Sequence, residues 1–464
     1  MGKYKSHYTE YSLLIIIALF FISNLIIIFF QKNVWWDAAV YVGMGKYIFS
    51  LGNAGLWEAS RPIIWPLILG FFWKLNLDVI LFGKIISLIF SVGVLLMTYL
   101  IAKVIFDKKI ALLSTLLLAF TSTFFFFSKL MLSGIVSTFF ILVAIYFFIK
   151  KRYFLFGIFF GIGFMTRFLH LIPFLVIIVI LFLYSKKNKT LAKNLVKIGL
   201  GFIIPIFPYL LLNFLLYQNI FYPFLLQVFL TKTTGLSNYQ SLLFYPLRLF
   251  INNFLYLFFI PGAYYLFKKK LSMEKSLLLY LSLIPFMFFI SIKHKEMRFL
   301  IMFLPFLYII AAYGIIKFFG LIKSRDLKIT LFAVFSGLFI FNAFSIISVN
   351  ESIEIRKENN FFVFQNYIAI NNLGKVWTSS PLYTVYFDKK VEIIYYPTFD
   401  NEKMASLLSN KGVVLLDTCN IWCDPNSNEC STYKEDFMTR VKNNFETKYY
   451  NKDKNCEQYI LVRK

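Results

Sequence analysis

Long apolar runs separated by short polar breaks fill the first 350 or so residues. The runs lie near 12–30, 79–105, 110–127, 130–149, 153–169, 171–185, 195–217, 245–267, 275–292, 297–319 and 327–349. Each is long enough, or nearly so, to cross a bilayer as a helix, so the pattern predicts about eleven transmembrane helices. The first run is too long for a cleaved signal core, and no small-residue cleavage site follows it.

Residues 31–78 break this rhythm. A helix is expected from about 36 to 50, ended by Gly52, Asn53 and Gly55. Arg61-Pro62-Ile63-Ile64-Trp65-Pro66 then opens an apolar stretch to about Leu75 that is short for a span. Its length and its tryptophans suit a helix lying in the membrane interface. After residue 350 the pattern changes again, to short β-branched stretches at 375–378, 391–395, 412–416 and 459–462 alternating with helical patterns at 401–410 and 431–444. Two regions are expected: an α-helical polytopic membrane domain over 1–350, and a small α/β soluble domain over 351–464.

Composition agrees, with 59% hydrophobic residues. The net charge of +25 raises the question of nucleic acid, but its distribution answers it. Lys3, Lys5, Lys108, Lys109, Lys150, Lys151, Arg152, Lys186, Lys187, Lys189, Lys268, Lys269, Lys270, Lys323, Arg325 and Lys328 fall in every second inter-span loop. That is the positive-inside pattern, so nucleic acid is not expected as a partner. It predicts a multi-pass cell-membrane protein with a cytoplasmic N-terminus, an outer loop at 31–78 and an extracytoplasmic C-terminal domain. All four cysteines, Cys419, Cys423, Cys430 and Cys456, lie in that last domain. An even number outside the cytoplasm favours two disulfides; a zinc site is the rival, although the usual CxxC pairing is missing.

Candidate chemistry sits at the span boundaries. Asp37 and Tyr41 are one helical turn apart and share a face of the first loop helix. The plain alternative for Asp37 is a helix cap or a solvated carboxylate. Glu58 is a weaker candidate with a solvated loop charge as its alternative. Arg61 either pairs with Glu58 or contacts a phosphate. A second cluster, His294-Lys295-Glu296-Met297-Arg298-Phe299, lies where two later runs meet on the same expected side. Charges at that boundary are costly unless paired or used, and a guanidinium suits phosphate. The alternative is interfacial snorkelling. Arg167 and His170, at the outer end of the run at 153–169, add cationic capacity there. No P-loop, dinucleotide fingerprint, HExxH or nucleophile elbow occurs, and nothing visible requires a divalent metal or another cofactor.

Trp36-Asp37-x3-Tyr41, Arg61-Pro62-x3-Pro66 and Lys295-Glu296-x-Arg298-Phe299-x5-Pro305 together resemble the GT-C glycosyltransferases, most closely the protein O-mannosyltransferase and aminoarabinose transferase type. The resemblance covers roughly residues 10–350 and implies a GT-C-like fold. It implies transfer of a sugar, mannose-type, from a polyprenyl- or dolichyl-phosphate carrier with inversion onto an acceptor hydroxyl. That acceptor is a protein, lipid or glycan outside the cytoplasm. Carried over by position, Asp37 is the catalytic base, and Arg298 with Lys295 and His294 holds the carrier phosphate. Many such transferases carry a second acid near the start of the span that here begins Lys129-Leu130-Met131-Leu132-Ser133-Gly134, with no acid. Glu58 is then the substitute, or the acceptor is handled differently, or the chain has drifted toward a non-catalytic role. The rival class is a transporter or flippase of lipid-linked sugars. It predicts repeated halves or mid-span charge, and neither is visible.

Overall fold

The computed structural model describes residues 2–31, 34–185, 188–234, 240–268, 271–292, 295–331, 333–337, 339, 363–364, 366–367, 375–394, 399, 401–409, 412–421, 428–453 and 456–464. His294, Cys423 and most of the expected span at 327–349 therefore lie outside the described residues. Five helices among those described are long and apolar enough to cross a membrane: Glu10–Phe30, Val79–Ile105, Lys189–Tyr217, Met273–Ser291 and Leu304–Leu321. The protein is a multi-pass membrane protein.

Other expected runs appear as shorter or interrupted helices. The run at 110–127 splits into Lys108–Ala119 and Ser122–Phe127. Ser133–Ile149, Tyr153–Phe164 and Phe168–Tyr184 are short apolar helices, and Phe244–Ile251 meets Phe254–Phe267 at a bend of 114°. Apolar run length reports what avoids water; it does not report where a helix axis breaks.

The chain forms two compact units. The first comprises Met1–Lys32, Lys84–Phe221 and Gln240–Ile353. Its helices approach closely where side chains are absent: a Cβ on Gly157 would lie 2.4 Å from the Ile198 carbonyl oxygen. Without a hydrophobic drive between helices in lipid, such backbone contact is a main source of association.

The second unit comprises Asn33–Gly83, Tyr222–Tyr239 and Glu354–Lys464. It thus joins the large loop to the C-terminal segment, cutting the chain in more places than the change of composition near residue 350. The loop supplies helix α1 (Trp36–Phe49) and helix α2 (Ile64–Lys74), matching the two expected loop helices. The C-terminal segment supplies strands β1 (Lys375–Thr378), β2 (Lys390–Ile393), β3 (Val413–Asp417), β4 (Phe445–Asp453) and β5 (Cys456–Arg463). Their order is β2-β1-β3-β5-β4. The first three are parallel and the last two pairings antiparallel. Alternate residues face opposite sides, so Val414, Leu416 and Leu461 pack with Trp377, Phe437 and Val441, while Val413, Leu415 and Ile460 pack with Phe364, Tyr383 and Phe387. This is the expected small α/β domain.

Candidate active site

Helix α1 begins after Trp35, whose extended backbone starts the turn, and Asp37 lies in the first turn. A carboxylate is favoured there because the unpaired N–H groups carry partial positive charge. The helix ends at Ser50. Leu51 (φ 54°) and Gly52 (φ 87°) follow in left-handed conformation, and Gly55 (φ 78°) turns the chain back.

That return delivers Arg61 to Asp37. Arg61 Nη2 donates to Asp37 Oδ1 at 2.8 Å, and Arg61 Nε lies 3.0 Å from Glu58 Oε1. The guanidinium also stands 5.2 Å from the centre of the Tyr41 ring. Ser60 Oγ donates to Glu58 Oε1 at 3.0 Å. Asp37 and Arg61 side chains retain 16% and 19% exposure. Burial works against the charge of Arg61, but Asp37, Glu58 and Tyr41 outweigh it and hold the pKa well above its ordinary value. The structure thus brings together four expected residues, Asp37, Tyr41, Glu58 and Arg61. Of the two roles considered for Arg61, pairing with Glu58 is observed, and pairing with Asp37 was not foreseen.

The remaining expected residues belong to the other compact unit. Arg298 Nη2 donates to Glu296 Oε1 at 3.0 Å, and its Nε also contacts Glu296 Oε2. Arg298 and Arg167 share one aromatic ring, standing 5.8 and 5.4 Å from the centre of Phe299. Tyr245, unmarked by the sequence, holds this turn: its hydroxyl donates to the Glu296 carbonyl oxygen and accepts from the Glu296 N–H, each at 3.1 Å. The Lys295 ammonium donates to the carbonyls of Gln240 and Ile292 at 3.0 and 2.6 Å. His170 is fully buried, and neither ring nitrogen has a hydrogen-bond partner. Where a second acid was sought, Lys129 is fully buried, 3.4 Å from Asn24 Oδ1 and 4.9 Å from the Phe125 ring centre.

Cys419 and Cys456 form a disulfide, joining the end of β3 to the start of β5. Asp417 lies beside this pair in an arrangement reminiscent of metal ligands, but disulfide sulfurs are not thiolates and do not bind zinc that way. Cys423 and the Cys430 side chain are outside the described residues.

The family described as dolichyl-phosphate-mannose-protein mannosyltransferase matches residues 60–212, less than half of the chain. ArnT from Cupriavidus metallidurans bound to undecaprenyl phosphate is similar in structure, with a TM-score of 0.67 at 10% identity over 96% of this chain and 97% of that one. The fold is that of the GT-C glycosyltransferases. The oligosaccharyltransferase AglB from Archaeoglobus fulgidus, in complex with an inhibitory peptide and a dolichol-phosphate, has a TM-score of 0.62 at 13% identity. That match covers 98% of this chain and 74% of the other. No curated protein matches the sequence.

Proposed function

We propose that the protein is an inverting glycosyltransferase that moves a mannose-type sugar from a polyprenyl-phosphate carrier to an acceptor hydroxyl on the extracytoplasmic face of the cell membrane. One observation carries it: a partly exposed carboxylate, Asp37, is held by a guanidinium on a membrane-loop helix of a GT-C fold. The mannosyltransferase family match supports the sugar class. The lipid phosphates bound by ArnT and AglB support the donor class. The positive-inside pattern supports an outward-facing loop.

The acceptor oxygen attacks the anomeric carbon opposite the carrier oxygen. Its proton passes to Asp37 as the carbon–oxygen bond to the carrier phosphate breaks. A positioned base contributes roughly 10²–10⁴-fold to such a step. Charge grows on the departing phosphate, and the role of Arg298, with Lys295 and His294, is to stabilise it there. Arg61 keeps the Asp37 carboxylate aimed.

The test uses full-length protein in nanodiscs with labelled polyprenyl-phosphate sugars, following release of the carrier phosphate. Asp37→Asn is expected to abolish transfer while carrier-lipid binding stays nearly intact. Parallel loss of both would make Asp37 structural and sink the assignment.

A further inference from the structure

Lys46 stands out in the second unit as a buried charge that the proposed chemistry does not use. It lies in the last turn of α1, nine residues beyond Asp37, and is 3% exposed. An ammonium has three protons to donate, and here each has an acceptor. They go to the carbonyl oxygens of Val385 at 3.0 Å and Phe387 at 3.3 Å, and to Asp388 Oδ1 at 2.8 Å. Val385 lies in the short helix Tyr383–Tyr386 and Phe387 just follows it, where carbonyls lack helical partners. Lys46 therefore caps a helix some 340 residues away in sequence.

Neighbouring contacts converge on the same place. Asp388 Oδ1 also accepts Trp73 Nε1 from the end of α2 at 2.9 Å, so one carboxylate oxygen joins three segments. Thr384 Oγ1 donates to the Ala39 carbonyl at 3.0 Å, about two turns nearer Asp37. Gly55 pairs with the edge of the sheet, donating to the Lys389 carbonyl at 2.9 Å and accepting from Val391 N–H at 2.8 Å. Val40, Met44 and Leu56 pack with Ile393 of β2. Helix α1 is thus bound to the C-terminal segment at Ala39, Val40, Met44 and Lys46, along most of its length.

We propose that Lys46 is a positioning residue, tying α1 to the turn at 383–388 so that the placement of Asp37 depends on the C-terminal segment; this rests on the assignment of Asp37 as the base. A helix transmits such a constraint because its backbone is rigid over a few turns, and nine residues span only about 14 Å. Misplacing a reacting group by about 1 Å can cost 100-fold in rate.

The experiment compares full-length wild type with Lys46→Met and Asp388→Asn in nanodiscs. Amide hydrogen exchange is read over residues 36–50 and over β3 and β5, and kcat and KM are measured with a labelled polyprenyl-phosphate sugar. Lys46→Met is expected to speed exchange in 36–50 while the sheet stays protected. Its kcat should fall roughly 10- to 100-fold with KM for the donor within about twofold. Asp388→Asn, at a 66% exposed position that tolerates change, should move both readouts in the same direction by less. The double variant should be no worse than Lys46→Met alone. Unchanged exchange in 36–50, loosened exchange with unchanged kcat, or a rise in KM alone would each overturn the proposal. If Lys46→Met does not fold, the same criteria apply to Asp388→Asn. If wild type transfers no sugar from any carrier, the base assignment fails, and exchange alone decides whether Lys46 holds α1 to the turn.

Discussion

The two ends of helix α1 carry ion pairs of nearly equal length and opposite design. At the first turn Asp37 meets Arg61 at 2.8 Å with both side chains partly open. At the last turn Lys46 meets Asp388 at 2.8 Å with the cation buried and the acid exposed. In the first pair both side chains keep some exposure, and Glu58 and Tyr41 share the guanidinium. In the second, all three ammonium protons are consumed by fixed acceptors, two of them backbone. Burial lowers the Lys46 pKa and Asp388 raises it partway back. One helix thus has an open end and a held end.

Substitution can separate the two. Replacing the carboxylate at the open end, Asp37→Asn, should have the largest effect, up to roughly 10⁴-fold on transfer. Arg61→Ala should come next. It frees Asp37 and Glu58 from their shared cation, so turnover should fall roughly 100-fold. Arg61→Lys should recover only part, because an ammonium replaces the planar fork with a point charge. Steady-state transfer rates at saturating donor decide this. Equal activity of the Ala and Lys variants with wild type would reduce Arg61 to a surface pair.

Legibility in the sequence followed the same division. The open end was readable: the Asp37–Tyr41 spacing, the glycine stop and the Arg-Pro opening are all local signals, and α1 at Trp36–Phe49 falls almost where the expected helix ended. The held end was not. Lys46 near the end of an interfacial helix looks like any snorkelling lysine, and its partners lie some 340 residues on. Within the C-terminal domain, β1, β2, β3 and β5 showed as β-branched runs. Strand β4 did not, because an edge strand carrying Glu446, Lys448, Asn451, Lys452 and Asp453 has the polar composition that protects an edge from aggregation. Among the apolar runs, hydropathy is blind to the break at Phe120-Thr121 and the 114° bend after Ile251; only Asn253, whose side chain accepts the Leu255 N–H, marks the second in the sequence.

The smallest expected effect lies where the two designs meet, at Gly55. It closes the loop that brings Arg61 back and pairs with the sheet edge, and it does so at φ 78°. A Cβ there would stand 2.1 Å from the Gly43 carbonyl oxygen and 2.9 Å from Lys46 Cβ. The backbone oxygen cannot rotate aside, and the left-handed conformation itself costs a side chain about 1–2 kcal/mol. Gly55→Ala should therefore lower thermal stability of the second unit by more than the few degrees that conformation alone would cost, with hydrogen exchange rising first at 389–391. Transfer should drop only severalfold, because Lys46 and Thr384 still hold the helix. A loss as deep as that of Arg61→Ala would mean that the loop closure, and not the ion pair it delivers, governs Asp37.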